Sequence, residues 1–301
     1  MRSDSFIGNE EIAKTGGHMK ADLHLHSTAS DGVLTPQALV RRAAERGFHV
    51  IALSDHDSTA GICEAQQTAK ELDLTVIPAV ELSCGAHREI HILGYGFDAA
   101  NQALLEFCAA RRAQREERTA QMIEKLCQMG MPVSLERVRE MAKGVMGRPH
   151  VARALVEAGY VKSVSEAFDR FIASGKPAYV PKEDVRVSEA VRLIRQAGGV
   201  AVLAHPMELK MGEMAIEALV HEWKGQGLAG IEVWHPSAAN NHAAFLLGLA
   251  RREGMLVTGG SDFHGETVRK TDIGEGLDRW RTAQSDVNAL FEAIAEGRNE
   301  P

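Results

Sequence analysis

Cysteines are few in this sequence, and long apolar segments are lacking. The four cysteines among 301 residues show no C-x-x-C spacing, so they indicate neither a thiolate zinc site nor a disulfide framework. No apolar run approaches the roughly 20 residues that cross a bilayer. We therefore expect a cytoplasmic protein without a membrane partner. We interpret the cysteines as small buried side chains in a reducing compartment: Cys63, Cys84, Cys108 and Cys127.

Positive charge and aromatic residues are also scarce. With 34 Lys and Arg against 41 Asp and Glu, the net charge is −7, whereas binding to duplex nucleic acid needs a basic surface. The three tryptophans are too scattered to form a base-stacking platform like that of an RNA-binding sheet. We expect no duplex DNA partner. An anionic substrate would be held by metal ions or by a few local arginines and lysines.

Seven short apolar segments, mostly separated by helical patterns, predict the fold. The chain is 45% hydrophobic, which is enough for a large core. Strands that alternate with helices are typical of a parallel sheet with right-handed crossovers, and seven strands suit an incomplete barrel. We predict an α/β barrel with strands at residues 21–25, 50–53, 75–80, 89–95, 200–204, 230–234 and 256–259.

Helical patterns without a convincing strand occupy the middle of the chain. We predict a helical insertion at residues 99–178, between two parts of a barrel at residues 19–98 and 179–301. Residues 1–18 are polar and aperiodic, and we interpret them as a leader or an expression remnant outside the fold. Within the barrel, Thr35 and Pro36 have the residue types that begin a helix, as N-cap and first-turn residue.

Histidines and carboxylates recur where the predicted strands end. His24 and His26 are two residues apart on the first strand, so they project from one face and could clamp a metal ion, with Asp31 close behind. The carboxyl ends of barrel strands converge on one rim. Together with His91, which lies inside the fourth strand, the residues expected to meet there are His24, His26, Asp31, His56, Glu81, His205, Asp262 and His264.

The order and spacing of these residues resemble the motif series of the polymerase and histidinol phosphatase (PHP) family. The resemblance covers most of residues 20–97 and 180–265. It is carried by DLHLHS at 22–27, SDG at 30–32, SDHD at 54–57, VELS at 80–83, HILG at 91–94, AHP at 204–206 and GSDFH at 260–264. Membership would imply a distorted (β/α)7 barrel with two or three divalent metal ions at its rim.

The resemblance also implies which residues hold each ion. A first metal would take His24, His26, Glu81 and Asp262. A second would take Asp31, His56 and His264, and a third would share Glu81 with His91 and His205. Imidazole and carboxylate ligands without thiolate suit Mn²⁺, Zn²⁺ or Fe²⁺, and the resemblance favours Mn²⁺.

Such a site would hydrolyse a phosphate ester with a metal-activated water as nucleophile. The leaving alkoxide needs a proton, and a histidine at the rim is the natural donor. We assign this catalytic role to His264, which would also contact the substrate. The resemblance places Asp57 near the substrate, as a second catalytic and substrate-binding residue. We find no Ser-His-Asp or activated-cysteine arrangement in the sequence.

Arg112, Arg115 and Arg118 recur at every third residue of the predicted helix after the fourth strand. They are either a solvated face of ion pairs with the interleaved glutamates or a cationic lid that grips a second phosphate. Arg148 stands beside Pro149 at a predicted helix N-terminus, which attracts anions and favours the lid. The resemblance to one PHP branch implies that Arg115, Arg118 and Arg148 hold a nucleotide.

We therefore expect a metal-dependent phosphomonoesterase that removes the 3′-phosphate of a 3′,5′-bisphosphonucleotide, such as adenosine 3′,5′-bisphosphate. The arginines would bind the second phosphate. Three alternatives stay open: a 5′→3′ exoribonuclease acting on short RNA, a histidinol phosphate phosphatase, and a metal-binding module without catalysis. The full ligand set argues against the last.

Overall fold

A computed structural model describes residues 19–85, 88–142, 144–265, 272–274 and 282–298; the predicted leader at 1–18 lies outside them. Seven strands form one sheet in chain order. Beyond the last strand, Phe263 pairs with Leu25, and the N–H of His26 donates to the Phe263 carbonyl at 3.0 Å. The sheet therefore curls into a nearly closed barrel, which confirms the predicted fold. The strands are β1 (Ala21–Leu25), β2 (Val50–Leu53), β3 (Thr75–Cys84), β4 (Ile90–Tyr95), β5 (Val200–Leu203), β6 (Gly230–Trp234) and β7 (Leu256–Gly259).

The prediction that all strands run parallel is wrong for β4. This strand is antiparallel to both β3 and β5, whereas the other neighbouring pairs are parallel. Only residues 85–89 connect β3 to β4, which is enough for a hairpin but too short for a helical crossover. The reversal pairs His91, near the beginning of β4, with Ser83, near the end of β3. His91 therefore reaches the same rim as the carboxyl ends of the parallel strands.

Helices follow most of the strands, and several of them pack against the outer face of the barrel. The first begins as predicted, because the Thr35 hydroxyl accepts a hydrogen bond from the N–H of Ala38 at 3.2 Å. Across the described ranges, no helix has the length and apolar composition needed to span a bilayer. The helices are α1 (Pro36–Glu45), α2 (Ile62–Ala69), α3 (Gln102–Gln128), α4 (Leu135–Ala142), α5 (Arg148–Glu157), α6 (Val164–Ala167), α7 (Val187–Gln196), α8 (Glu213–Lys224), α9 (Asn240–Arg252) and α10 (Gln284–Gly297).

The inside of the barrel is filled by small and branched side chains. Alternate residues of β1 to β5, among them Leu23, Ala52 and Val202, pack with Leu290 and Ile294 of α10. Ile294 lies so close to Gly96, after β4, that a Cβ on Gly96 would approach its Cγ2 to 2.3 Å. The outward faces of the strands pack against the surrounding helices in two further clusters. The rim thus stands on a rigid, close-packed base.

The described residues between β4 and β5 form helices and no strand. Helices α3 to α6 have a hydrophobic cluster of their own, whose buried members all lie between residues 123 and 178 and include Leu126, Val138 and Leu155. Within this segment, α6 continues as a π-helical turn at Phe168–Ile172, a local widening that is frequent near functional sites.

Two of the four cysteines depart from the expectation that all are buried. Cys84 and Cys108 are buried, and burial raises the pKa of each thiol to about 12, whereas Cys63 and Cys127 are exposed. Because the thiolate is the reactive form, iodoacetamide at about pH 8 should label two cysteines of the folded protein and all four after denaturation. Peptide mass mapping identifies the sites. The Cys63→Ser/Cys127→Ser variant is the control, and rapid labelling of that variant while folded would contradict the burial.

Candidate active site

Four buried side chains from β1, the residue that follows it, β3 and the loop after β7 direct ligand atoms toward one point. The Nε2 atoms of His24 and His26 are 3.1 Å apart. Glu81 Oε2 lies 3.4 and 3.3 Å from these two nitrogens, and Asp262 Oδ1 lies 3.6 and 3.2 Å from them. Ligand atoms about 2.0–2.2 Å from a shared metal ion lie roughly 3–3.6 Å from one another. The four atoms therefore have the spacing of ligands around a single ion.

A β-bulge in β1 aims the first histidine at this point. Between paired positions, β1 advances three residues, from Asp22 to Leu25, while β2 advances only two, from Ile51 to Leu53. An extra residue of this kind re-aims side chains at barrel rims. Glu232 of β6 then fixes the ring, because its buried carboxylate accepts a hydrogen bond from His24 Nδ1 at 3.0 Å. The Nε2 atom of His24 therefore presents its lone pair to the point where the four ligand atoms meet.

A second group surrounds Asp31. Its Oδ1 lies 3.2 Å from Nε2 of His264 and 3.9 Å from Nδ1 of His26, and His56 completes the group. The Nδ1–H of His264 donates to the carbonyl of Asp262 at 2.9 Å, so its Nε2 presents a lone pair to Asp31. One nitrogen cannot hold a metal ion and a transferable proton at the same time. The geometry favours a ligand over the predicted proton donor for His264.

A third group shares Glu81 with the first. Glu81 Oε1 lies 2.8 Å from His91 Nδ1 and 2.9 Å from His205 Nε2, and these two nitrogens are 3.2 Å apart. Because Oε2 of the same carboxylate faces His24 and His26, Glu81 bridges two groups. The structure thus brings all nine predicted ligands together at the rim.

Divalent metal ions fit these groups. Among the described residues, the buried Nδ1 of His26 has no hydrogen-bond partner, and Glu81 Oε2 lies 2.9 Å from Nδ1 of His56. The ligand atoms are the imidazole nitrogens and carboxylate oxygens that such ions accept. The electrostatics agree: burial lowers the pKa of His56 and His205, but Glu81 outweighs it and raises both to about 9. The rim therefore attracts positive charge.

The backbone is strained at three points of the rim. Asp57, His205 and Asp262 have φ angles of +46°, +26° and +50°, in the left-handed region that costs a non-glycine residue about 1–3 kcal/mol. They follow β2, β5 and β7, where the chain turns sharply over the barrel. Strain of this kind persists only where surrounding contacts enforce it, as at ligand sites.

A cavity of about 230 Å³ lies between the rim and the helical segment formed by α3 to α6. His56, His91 and His264 form its floor. Arg148 pairs with Glu89, and its guanidinium lies 5.4 Å from the Phe168 ring centre and 5.8 Å from that of Tyr179. The cavity therefore has ligand-type residues on one side and cations on the other. The residues of the cationic side, called here the cationic wall, are Arg115, Arg118, Arg148 and Lys182.

The stripe of arginines on α3 differs from the predicted one. Arg115 and Arg118 line the cavity, but Arg112 is exposed, and Arg111 is buried and lines a neighbouring cavity. Each three-residue step turns about 300° around a helix, so three such residues drift off one face, whereas positions i, i+4 and i+7 stay together. Arg111, Arg115 and Arg118 have that spacing, which the sequence offered and the prediction missed.

Asp57 lies behind the cationic wall instead of facing the cavity. It is fully buried, and its Oδ2 accepts hydrogen bonds from Nε and Nη2 of Arg115 at 2.9 and 2.7 Å. Nη2 also donates to the Ser83 hydroxyl at 2.7 Å. Burial raises the pKa of Asp57, but Arg115 and the Ser83 N–H lower it further, so the carboxyl stays ionised. The arrangement makes Asp57 a positioning residue for Arg115.

Comparison with known proteins shows which family has this architecture. The family model described as PHP domain matches residues 22–226, more than half of the chain. The chain belongs to the PHP domain family.

Relatives within the PHP family match most of the chain. A 5′-3′ exoribonuclease of Haemophilus influenzae is 37% identical over 246 residues, 81% of this chain and 90% of the relative. A 3′,5′-nucleoside bisphosphate phosphatase of Chromobacterium violaceum is 36% identical over 260 residues, 85% of this chain and 91% of the relative. A solved structure from Bifidobacterium adolescentis, assigned as a metal-dependent phosphoesterase, is 32% identical, with a TM-score of 0.81 over 91% of this chain and 96% of that one.

Two further residues of this PHP site escaped the prediction. Glu232 orients His24, and also accepts the N–H of His205 at 2.7 Å; the signal was a carboxylate inside an otherwise apolar strand. Lys182 belongs to the cationic wall, but no periodic pattern marks its segment. Both residues act through contacts with residues that are distant in the sequence, and local patterns do not show such contacts.

Proposed function

We propose that this PHP protein is a metal-dependent phosphomonoesterase that removes the 3′-phosphate from 3′,5′-bisphosphonucleotides. The chain is a hydrolase of phosphate esters, and the named relatives act on a nucleoside bisphosphate or on RNA. One observation carries the choice of substrate: a single cavity joins the ligand-rich rim to the cationic wall. A substrate with two phosphates needs two anion sites, and this cavity offers both.

The nine rim residues would hold the metal ions. When bound, divalent ions activate water as the nucleophile and neutralise the phosphoryl oxygens. We propose Mn²⁺ as the ion, and the cytoplasm as the location, where the exposed thiols of Cys63 and Cys127 stay reduced. Glu232 and the Asp262 carbonyl hold the rings of His24 and His264 in the orientation that ligation needs.

The arginines of the cationic wall would hold the second phosphate. Arg118 donates through Nε to the carbonyl of Val180 at 2.6 Å, and its buried Nη2 has no hydrogen-bond partner among the described residues. Arg148 opens α5, whose N-terminus favours an anion. In this proposal residues 99–178 act as a lid over the barrel formed by residues 19–98 and 179–301. The lid orients the nucleotide so that its 3′-phosphate meets the rim.

A 5′→3′ exoribonuclease acting on short RNA is the second candidate. The Haemophilus influenzae relative is named a 5′-3′ exoribonuclease, and the terminal 5′-phosphate of an RNA is the same group that the wall would bind in a bisphosphonucleotide. The net charge of −7 restricts the substrate to short oligonucleotides.

Direct comparison of substrates tests the proposal. Phosphate or nucleotide release is measured for the Mn²⁺-loaded protein with adenosine 3′,5′-bisphosphate, histidinol phosphate and a 5′-phosphorylated oligoribonucleotide, with His26→Ala as the inactive control. We expect the bisphosphate to have the highest kcat/KM. A preference for histidinol phosphate would contradict the second anion site, and a preference for the oligonucleotide would favour the second candidate.

Substitution of Arg118 tests the wall itself. Hydrogen bonds to charged groups contribute about 1.5–3 kcal/mol, so Arg118→Met should lower kcat/KM for the bisphosphate by about 10- to 100-fold. Arg112→Met is the matched control, because Arg112 lies on the same helix but is exposed. Equal kinetics of the two variants would contradict the role of Arg118.

A further inference from the structure

Lys182 stands out among the buried cations. It lines the active-site cavity from the chain segment before α7, and its Nζ is buried without a hydrogen-bond partner in the described part of the chain. By contrast, the ammonium of Lys125, in the same region, donates to the Tyr179 carbonyl at 2.8 Å. An unpaired buried ammonium is costly. We therefore expect this ammonium to be paired with a bound anion when the site is in use.

Each of the other cations of the wall already makes at least one hydrogen bond or ion pair. Arg115 donates to Asp57 and Ser83, Arg148 pairs with Glu89, and Arg118 donates through Nε to a backbone carbonyl. Lys182 therefore keeps all three N–H donors of its ammonium uncommitted. Any anion that enters the cavity on this side finds them available.

The position of Lys182 matches the place where a second phosphate would lie. A neighbouring cavity of about 200 Å³ runs along α3 and has Arg115, Arg118 and Lys182 in its lining, as does the active-site cavity. These three side chains thus form the partition between the two spaces. Lys182 shares the lining of both cavities with Arg115 and Arg118.

We propose that Lys182 binds the phosphate group that the product retains, the 5′-phosphate of the nucleotide. This assignment rests on the function proposed above and adds a residue to its specificity. Lys182 contributes charge and hydrogen bonds to binding but takes no part in breaking the 3′ ester.

The charge of Lys182 should make binding depend on pH. Burial lowers the pKa of its ammonium to about 8 despite the opposing carboxylate of Glu89. Of the other groups that face it, Asp57 and Glu89 ionise below their usual range, the pKa of Arg115 is raised, and that of Cys84 is about 12. Among these groups only Lys182 titrates near pH 8, so a retained phosphate should bind less tightly as the pH rises through that value.

Equilibrium binding of adenosine 5′-monophosphate, the product, tests the assignment without turnover. Calorimetry compares this ligand with adenosine, which lacks the phosphate, for the metal-loaded wild type and for Lys182→Met. We expect about a 10- to 100-fold weaker affinity for the monophosphate and no change for adenosine. Lys182→Arg should restore affinity and abolish the weakening above about pH 8. Lys162→Met, at an exposed lysine, is the matched control.

Thermal unfolding shows whether Lys182→Met still folds. Removal of an unpaired buried charge should leave the Tm of Lys182→Met unchanged or raised. A folded Lys182→Met that binds the monophosphate like Lys162→Met, or a wild type that does not bind it, would overturn the assignment. If the wild type binds it in a Lys182-dependent manner but does not hydrolyse the bisphosphate, the lysine assignment holds and the proposed reaction fails.

Discussion

Replacing Glu81 by glutamine should lower phosphate-ester hydrolysis by about three orders of magnitude or more, because loss of a single electrostatic contact in an active site already costs about 10²- to 10³-fold. The carboxylate faces His24 and His26 through Oε2, and His91 and His205 through Oε1. A glutamine would direct an N–H₂ group at one of these pairs and remove the negative charge from both. We expect metal content, measured by mass spectrometry of the dialysed protein, to fall with the rate.

A matched exposed residue separates the effect of the charge from that of its position. Glu71→Gln removes one carboxylate from the surface after α2 and should leave both rate and metal content unchanged. Wild-type activity in Glu81→Gln would contradict the bridging role. Normal metal content with a reduced rate would show that Glu81 orients its neighbours without holding an ion.

The meeting of these residues at the rim could be predicted because it follows from local sequence patterns. The period of two on β1 places His24 and His26 together, and apolar runs that end in polar residues mark the parallel strands. The rule that strand ends converge then gathers residues far apart in the chain. These steps need no knowledge of contacts, which is why the barrel could be recognised from the sequence.

The direction of β4 could also have been inferred. The connection at residues 85–89 is too short for a crossover, but the alternation of strands and helices elsewhere outweighed it in the prediction. The length of β3 is a different case. Glu81 lies inside this strand and not at its end, because pairing with the reversed β4 extends β3 to Cys84. A tertiary contact decides where that strand ends.

Partners of the buried charges were beyond sequence reasoning. Glu232 meets His24 across 208 positions, and Arg115 meets Asp57 across 58. Neither pair follows a helical or strand period, so only the closed barrel and the helical segment packed on it bring them together. The prediction consequently named the nine residues that meet at the rim but placed Asp57 near the substrate, whereas its carboxylate faces Arg115.

Removing the guanidinium of Arg115 should destabilise the fold strongly. Arg115→Met leaves Asp57 as a buried carboxylate with only the Ser83 N–H, at 3.0 Å, as its hydrogen-bond partner in the described contacts. Breaking one side of a buried ion pair costs about 3–5 kcal/mol. Urea unfolding at about pH 7 measures the free energy. Arg137→Met is the control, because Arg137 is exposed and pairs with Glu140 and Glu157, and exposed ion pairs contribute little to stability.

The pH dependence of this loss identifies Asp57 as its source. In the wild type the pKa of Asp57 is below its unfolded value, so the pair contributes stability at neutral pH that is lost as the pH falls through the folded pKa. Without Arg115, burial dominates and raises that pKa. Asp57 is then protonated as the pH falls, which removes the buried charge and increases the free energy of unfolding of the variant. The deficit of Arg115→Met should therefore shrink as the pH falls from neutrality through the raised pKa of Asp57, and Asp57→Asn in the same background should remove the pH dependence. A deficit that is constant with pH would mean that lost packing around Arg115, and not the stranded carboxylate, carries the cost.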